Sequence, residues 1–211
     1  MATSAISTAW ENESRWKMPA KWYRVEIPAA NPVVSVLVLD SNFKELKRAW
    51  QEELAWLERE LARPRPGRWL IATAHHPVFS NSTHGDTKEL IRDWEPLFRR
   101  HKLDFFICGH DHCVQHLEVE GHPTSFIVSG GGGAKKYPMR RDDRGPFAKS
   151  ENGFLHLTLG DDRAAGKIIS STGEDLHEFT KDAAGRVTVV KTAGVEKQTT
   201  LPKGKSRKKV D

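Results

Sequence analysis

Two short apolar runs constrain the fold of this chain more than any other feature. Trp69–Ala74 and Leu103–Cys108 consist mostly of apolar residues, and Thr87–Lys102 between them has a helical pattern that Pro96 is expected to interrupt. A nearly continuous apolar run is typical of a strand buried on both faces. Strand, helix and strand in succession predict a parallel βαβ unit. The pattern therefore predicts an α/β fold.

The flanking segments add strands and one further helix. We expect strands at Trp22–Ile27 and Val33–Leu39 and a helix over Phe43–Ala62, which Asn42 caps. Downstream the pattern changes to short strands separated by turns, at Val114–Glu118, Ser125–Val128, Phe154–Leu159, Lys167–Ser170 and Arg186–Val190. The C-terminal part is therefore expected to be β-rich and in part antiparallel.

The size and charge of the chain suit one domain with short polar ends. Its 211 residues, 37% of them hydrophobic, are enough for a single packed core. We expect a polar lead-in at 1–14, a domain at 15–193 and a basic, disordered tail at 194–211. The formal net charge is +5, but the last eleven residues hold five basic side chains against one acidic. Specific nucleic-acid binding is therefore not predicted.

Compartment is left open by the sequence. Residues 1–14 lack the charged start and apolar core of a signal peptide. No apolar run approaches the ~20 residues that cross a bilayer, so no membrane is expected among the partners. We expect a cytoplasmic protein if the chain is complete and an exported one if an N-terminal part is missing. The two cysteines, Cys108 and Cys113, do not form a disulfide framework, although a bond between them is conceivable.

Histidines follow both buried strands at the point where each strand ends. His75 and His76 come directly after Trp69–Ala74, and His110 and His112 follow Leu103–Cys108 after one glycine. The carboxyl ends of neighbouring parallel strands share one edge of the sheet, so these imidazoles are expected to lie close together. Imidazole is the commonest metal ligand in proteins. Either pair alone fits an ordinary loop, but both at successive strand ends predict a metal site.

Residues beside the histidines have expected supporting roles. Gly109 lets the chain turn sharply off the strand before His110. Asp111, between two candidate ligands, is either a ligand itself or a carboxylate that orients a histidine.

Two motifs and their surroundings carry a family resemblance. Ala74-His75-His76-Pro77-Val78-Phe79-Ser80 and the segment from Gly109-His110-Asp111-His112 to Leu117 resemble the last two signature motifs of the calcineurin-like metallophosphoesterases. The wider register is similar to the tartrate-resistant (purple) acid phosphatases, with further matches at Arg15-Trp16, Pro19, Tyr23-Arg24, Trp56-Leu57, His84-Gly85, Ser129-Gly130 and Asn152-Gly153-Phe154. The resemblance covers roughly residues 10 to 180.

The resemblance implies a fold and a set of roles. The fold is the second half of a metallophosphoesterase α/β/β/α sandwich, with a mixed sheet. His75 and His110 are implied to ligate one metal ion and His112 the other, while His84 lies near the substrate phosphate and assists the leaving group. The implied surroundings of these ligands are His76, Asp111, Cys113, Gly109 and Gly130. Cys113 stands where relatives often have asparagine, and its role stays open.

The resemblance also implies cofactors and a reaction. Two divalent or trivalent metal ions, iron with zinc, iron or manganese, are implied in the complete site. A hydroxide that bridges the two ions attacks the phosphate of a phosphoric ester. The substrate expected from this reaction is a phosphomonoester.

The family's earlier motifs do not occur upstream of His75. These are an Asp-x-His, a Gly-Asp and a Gly-Asn-His-Asp/Glu segment. Asp175-Leu176-His177 and Gly160-Asp161 could supply parts of them in a circular permutation, but their order is reversed and both fit surface turns better. Two close dications need anionic ligands, which histidines do not provide. We therefore expect a missing N-terminal half as a partner, and an exposed sheet edge where its strands would lie.

Three functions are compatible with these patterns. The first is a metal-dependent phosphoric-ester hydrolase of the acid phosphatase type. The second is a truncated or degenerate module that binds a metal or a partner without catalysis. The third is a basic interaction protein that acts through its Lys/Arg tail.

Overall fold

Strands dominate the part of the chain that the computed structural model describes, which comprises residues 18–140 and 143–193. The elements in these ranges are, in order, β1 (Tyr23–Ile27), β2 (Val34–Val38), α1 (Phe43–Leu46), α2 (Arg48–Ala62), β3 (Trp69–Ala74), α3 (Lys88–Asp93), α4 (Glu95–Arg100), β4 (Phe105–Cys108), β5 (Val114–Glu118), β6 (Ser125–Ser129), β7 (Phe147–Lys149), β8 (Gly153–Leu159), β9 (Arg163–Ser170), β10 (Asp175–Asp182) and β11 (Val187–Thr192). The expected lead-in at 1–14 and tail at 194–211 lie outside the described residues.

The strands form two sheets. The larger sheet has seven strands in the order β1-β2-β3-β4-β6-β5-β7, and the smaller has four in the order β11-β10-β9-β8. Strands β2, β3, β4 and β6 run parallel to one another, whereas β1, β5 and β7 are antiparallel to their neighbours. The smaller sheet is antiparallel throughout. This arrangement confirms the predicted βαβ unit, the mixed sheet and the β-rich C-terminal part.

Strand β3 is buried on both faces, as its apolar run predicts. Leu70 and Ala72 belong to a core cluster that includes Trp94 of the segment between α3 and α4. Trp69 and Ile71, on the opposite face, pack in a second cluster with Phe179 of the smaller sheet. Burying a side chain of this size stabilises a fold by about 1.5–3 kcal/mol. The helices therefore cover one face of the larger sheet, and the smaller sheet covers the other.

The helix predicted over Phe43–Ala62 is wrong in one respect, because it is divided in two. Lys47 separates α1 from α2 with a φ of 49°. Asn42 makes no side-chain capping bond, and its own backbone N–H instead bonds Asp40 Oδ1 at 3.0 Å. Phe43 packs edge-on against Trp50, with ring centroids 6.1 Å apart. Tertiary packing of these aromatic rings accompanies the break, which the apolar spacing alone did not predict.

The second predicted helix divides as expected. Helix α3 ends before Trp94, and Pro96 lies in the first turn of α4, where its missing N–H has no helical partner to lose.

The expectation that Asp175-Leu176-His177 forms a surface turn is wrong. These residues begin strand β10, and Leu176 and His177 are buried. Polar His177 and Lys181 occupy inward positions of this strand, where a sequence pattern of alternating polarity expects apolar residues. Gly160-Asp161 does lie in the connection between β8 and β9.

Strand β1 forms one edge of the larger sheet. Within the described residues only β2 pairs with it, and Val25 and Ile27 are 37% and 49% exposed. An exposed edge was expected, and its coverage by a partner stays a prediction.

The described helices include none with the length and apolar character of a membrane span.

Candidate metal-binding site

The carboxyl ends of β2, β3 and β4 meet at one edge of the larger sheet. Val38 pairs with Thr73, and Ala74 pairs with Cys108, so the chain leaves these strands at matching levels. The Gly109 backbone N–H continues the ladder by bonding the His75 carbonyl oxygen at 3.1 Å. The segments that follow the three strands are therefore held side by side.

Three imidazoles meet at this edge. His75 Nε2 and His110 Nδ1 lie 3.1 Å apart. The ring of His76 lies 4.9 Å from that of His75 and 4.4 Å from that of His110, measured between centroids. Each of the three residues offers a ring nitrogen, and these nitrogens all lie within 4.8 Å of one another. We call this set the tri-histidine group.

The backbone turn into this group occurs at His110 and not at Gly109. His110 has a φ of 65°, in the left-handed region that side chains rarely adopt, whereas Gly109 does not. The expectation that Gly109 supplies the sharp turn is therefore wrong. The turn directs the His110 ring towards His75. The residue in the left-handed conformation is therefore the same residue whose side chain reaches the site.

Burial favours the neutral form of two members of the tri-histidine group, His76 and His110. Burial lowers the pKa of His110 to about 4, with further lowering from His76, His84 and His75. Burial, and then the neighbouring His75, also lowers the pKa of His76. Neutral imidazole is the form that donates a lone pair to a metal ion. At neutral pH these two rings are therefore already in the form that binds a metal.

Ser41, in the segment after β2, holds the ring of His76. Its Oγ lies 2.9 Å from His76 Nδ1 and also accepts a hydrogen bond of 2.9 Å from the His76 backbone N–H. Sequence reasoning missed Ser41. Ser41 lies three residues beyond the last residue of β2, so its position after a strand did not single it out.

Asp111 and His84 form a second group with His110. The Asp111 carboxylate is fully buried, accepts a hydrogen bond from Ser80 Oγ and lies 2.5 Å from His84 Nδ1. The His84 side chain is 43% exposed, and its ring centroid lies 4.6 Å from that of His110. Asp111 thus contacts the ring of His84 and fixes one of its nitrogens. Sequence reasoning also missed Ser80, which had no strand-end position to single it out.

His112 lies apart from both groups. Its Nδ1 donates to the Lys135 carbonyl oxygen at 2.9 Å, and its ring stacks on Tyr137 with centroids 4.3 Å apart. Within the described residues His112 belongs to neither cluster of potential ligands. The structure therefore brings His75 and His110 together but not His112 with them.

Cys113 and Gly130 lie next to residues of the site. The Cys113 thiol is buried and accepts a hydrogen bond of 3.1 Å from Gln115 Nε2. Burial raises its pKa to about 12, so the side chain is a thiol at neutral pH, and its role stays open. Cys108 and Cys113 are both free, and the conceivable bond between them is not formed. At Gly130 a Cβ would overlap the carbonyl oxygen of Asp111, so only glycine fits.

A groove of about 420 Å³ opens beside these groups. Its lining includes His76, His84 and His110 together with the basic Lys44 and Lys88. Its volume lies within the range of small-molecule sites. A small anionic ligand in this groove would therefore meet imidazoles from both groups.

Comparisons with known proteins bear on the family and the fold of the chain. Residues 9–114 match the family described as calcineurin-like phosphoesterase. The chain is similar to tartrate-resistant acid phosphatase type 5 of Sus scrofa, with 31% identity over 191 residues that cover 82% of this chain and 54% of that protein. The chain thus spans about half the length of the curated relatives it matches.

Two solved structures share the fold. One is purple acid phosphatase PPD1 from yellow lupin seeds, with a TM-score of 0.63, 18% identity, and coverage of 79% of this chain and 34% of that one. The other is GAP50, the anchor in the inner membrane complex of Plasmodium, with a TM-score of 0.64, 21% identity, and coverage of 84% and 57%. At these identities the likeness concerns the fold alone.

Proposed function

Because the chain belongs to the calcineurin-like phosphoesterase family, we propose that it provides the histidine side of the active site of an acid phosphatase-type phosphoric-ester hydrolase. The observation that carries this proposal is the pair of ring nitrogens of His75 and His110, 3.1 Å apart at the carboxyl edge of parallel strands. The lining of the adjacent groove includes two lysines that attract a phosphate ester, Lys44 and Lys88, together with the acidic Asp86 and Glu89.

The donor set fits a metal ion. Neutral imidazoles suit zinc and iron, and the burial that lowers the pKa of His110 keeps its ring available to an ion at neutral pH. His75 and His110 would hold one ion, and we assign His112, through the nitrogen not bonded to Lys135, to a second. A bound metal would polarise the phosphate and activate water for attack on phosphorus.

His84 is the residue we assign to the leaving group. Its Nδ1 is held by the Asp111 carboxylate, which leaves Nε2 to carry the proton that the departing alcohol takes up. Asp111 acts here by positioning, because it is buried and reaches the groove only through His84. The role of His84 was expected from the resemblance, and both roles stay proposals.

The test is hydrolysis of p-nitrophenyl phosphate by the purified protein supplied with zinc, iron or manganese. We expect His110→Ala to abolish turnover, because it removes a metal ligand. His84→Ala is expected to lower kcat by about 10²- to 10⁴-fold, the usual contribution of a general acid, with a smaller effect on KM. His156→Ala is the matched control, since His156 is exposed on β8 in the smaller sheet. Turnover that survives His110→Ala would contradict the proposal.

One observation favours the second candidate, a metal-binding module without catalysis. The two clusters of potential ligands in the described residues contain four histidines but a single carboxylate, Asp111, whose oxygens already contact Ser80 and His84. A pair of dications needs more negative charge than this. Metal binding without turnover in the same assay would favour this candidate over the hydrolase.

A further inference from the structure

We propose that the tri-histidine group, His75, His76 and His110, is a site for one divalent transition-metal ion, with His76 as its third protein ligand. This inference deepens the proposed function, on which it rests for the location of the site. It differs in the ligand set, because His76 was expected only to surround the ligands. It also requires no carboxylate and no second ion.

The spacing of the ring nitrogens suits a single ion. Zinc binds imidazole nitrogens at about 2.0–2.1 Å in tetrahedral geometry, which places two such nitrogens about 3.3 Å apart. His75 Nε2 and His110 Nδ1 are 3.1 Å apart. The nitrogen that His76 offers lies within 4.8 Å of the other two. The His76 nitrogen therefore has to move closer to the other two to close the set around one ion.

Ser41 prepares His76 for this role. A ligating histidine usually bonds a protein group through its other ring nitrogen, which fixes the tautomer and the ring orientation. His76 has this arrangement, because its Nδ1 lies 2.9 Å from Ser41 Oγ. The Ser41 hydroxyl already accepts the His76 backbone N–H, so it is itself held in place. Nε2 is then the nitrogen left to bind an ion.

The competing group of His84, His110 and Asp111 is less suited to a metal. Both Asp111 oxygens are engaged, one by Ser80 Oγ and the other by His84 Nδ1. An ion bound there would share the oxygens of a fully buried carboxylate with these two contacts. An ion bound by the tri-histidine group would displace only the contact between His75 and His110, and bonds from both nitrogens to the ion would replace it.

The tri-histidine group is accessible from the groove. His75 is exposed, and the groove beside the group is lined by His76 and His110. Three protein ligands with an open fourth position are typical of catalytic zinc sites, whereas structural sites are closed by four. The occupant we infer is therefore a divalent ion such as zinc that keeps a solvent position facing the groove.

Titration of the metal-free full chain with Co²⁺, followed by visible absorption and by calorimetry, tests the proposal. We expect one ion per chain and the intense visible bands of four-coordinate cobalt. His76→Ala and His76→Gln should each weaken binding by more than the roughly 10- to 100-fold expected for loss of an outer-shell partner, and Ser41→Ala should weaken it by about 10- to 100-fold. His156→Ala should leave the affinity unchanged, and circular dichroism checks that every variant is folded.

His84→Ala separates the two groups, because His84 contacts Asp111 and is absent from the tri-histidine group. Weaker Co²⁺ binding in His84→Ala together with unchanged binding in both His76 variants would overturn the proposal. Binding of one ion without phosphatase turnover would leave it intact while the hydrolase proposal fails. Turnover together with a Co²⁺ affinity that the His76 variants do not change would support the hydrolase proposal and overturn the assignment of His76 as a ligand.

Discussion

Ser80 is the residue whose side chain connects the buried polar groups beneath the site. Its Oγ donates to Asp111 and accepts hydrogen bonds from Gln115 Nε2 at 2.9 Å and from the Ser82 backbone N–H at 3.1 Å. All of these groups are buried. The hydroxyl therefore satisfies an anion on one side and two N–H donors on the other, a combination that no apolar side chain can replace.

Ser80→Ala is expected to lower the free energy of unfolding by about 1–3 kcal/mol, because it leaves buried donors and a buried carboxylate without a partner. Urea denaturation at pH 7 measures the loss. Ser171→Ala is the matched control, since Ser171 is exposed in the turn after β9 and should stay within about 0.5 kcal/mol of the unchanged chain. Equal losses in the two variants would contradict this account.

The positions of histidines directly after apolar strands account for most of what could be predicted about the site. His75, His76 and His110 were found because strand ends at one sheet edge can be identified from apolar runs. The separate position of His112 could not be predicted, since it depends on the left-handed turn at His110 and on the stack against Tyr137. Ser41 and Ser80 contact the site through hydroxyl groups, and serines are too common in loops for a sequence pattern to single them out.

At the scale of elements, helix α2 carries an ionisable group in its buried face. Glu53 has no exposed surface, and its Oε1 accepts a 2.7 Å hydrogen bond from the Asp40 backbone N–H. Its other oxygen has no hydrogen-bond partner among the residues that the structure describes. Burial raises the pKa of Glu53 from 4.5 to about 8. The side chain is therefore protonated in the folded protein at neutral pH.

Glu53→Gln is expected to stabilise the protein at pH 8 and to have little effect at pH 4. Because the unfolded chain ionises Glu53 from about pH 4.5 upward while the folded protein keeps the proton, the native chain loses stability as pH rises towards 8. Glutamine keeps the acceptor for Asp40 but does not ionise, and the gain at pH 8 is on the order of 2–4 kcal/mol. Urea denaturation at the two pH values measures it.

Glu52→Gln, at an exposed position of the same helix, is the control and should show no such pH dependence. A gain from Glu53→Gln that is equal at pH 4 and pH 8 would contradict the assigned pKa.

The elements themselves were predictable where polarity alternates or apolar residues run together. Strands β1 to β6 were expected close to their observed bounds for this reason. Strand β7 has only three residues, too few to show a period. Strand β10 was missed because His177 and Lys181 point inward, and their burial depends on partners in the other sheet that its own sequence does not reveal.

At the scale of the whole molecule, polar side chains connect the two sheets through their shared core. His116 of the larger sheet and His177 of the smaller one meet with ring nitrogens 2.9 Å apart. Glu118 contacts the other nitrogen of His116 at 2.6 Å, and Thr192 contacts the other nitrogen of His177 at 2.9 Å. Lys181 donates from β10 to the Asp104 and Pro123 carbonyl oxygens at 2.7 Å each. These groups hold the sheets in one relative position.

Acid is expected to weaken this connection. Burial lowers the pKa of His177 to about 3, with His116 contributing further, and burial also lowers the pKa of His116. The unfolded chain therefore binds these protons from about pH 6.5 downward while the folded protein resists them, so stability falls between pH 6.5 and pH 3.

His177→Phe is expected to be less stable than the unchanged chain at pH 7, by about 1–3 kcal/mol, because the His116 nitrogen loses its partner. The ring itself fits, since His177 stacks on Phe147 with centroids 4.9 Å apart. The deficit should shrink towards pH 4, as phenylalanine takes up no proton. Guanidinium unfolding across this range measures it, with His156→Phe as the control. A deficit that stays constant with pH would argue against the assigned titration.

The left-handed backbone at His110 is unfavourable for the stability of the fold, whereas the imidazole at this position favours metal binding. A side chain other than glycine or asparagine costs roughly 1–2 kcal/mol in this conformation. Glycine or asparagine would relieve that cost at once, and either would remove the imidazole. Selection for thermal stability alone would therefore tend to discard His110 early, and with it the site. If histidine were kept at this position in diverging relatives, its persistence would indicate selection on function and not on stability.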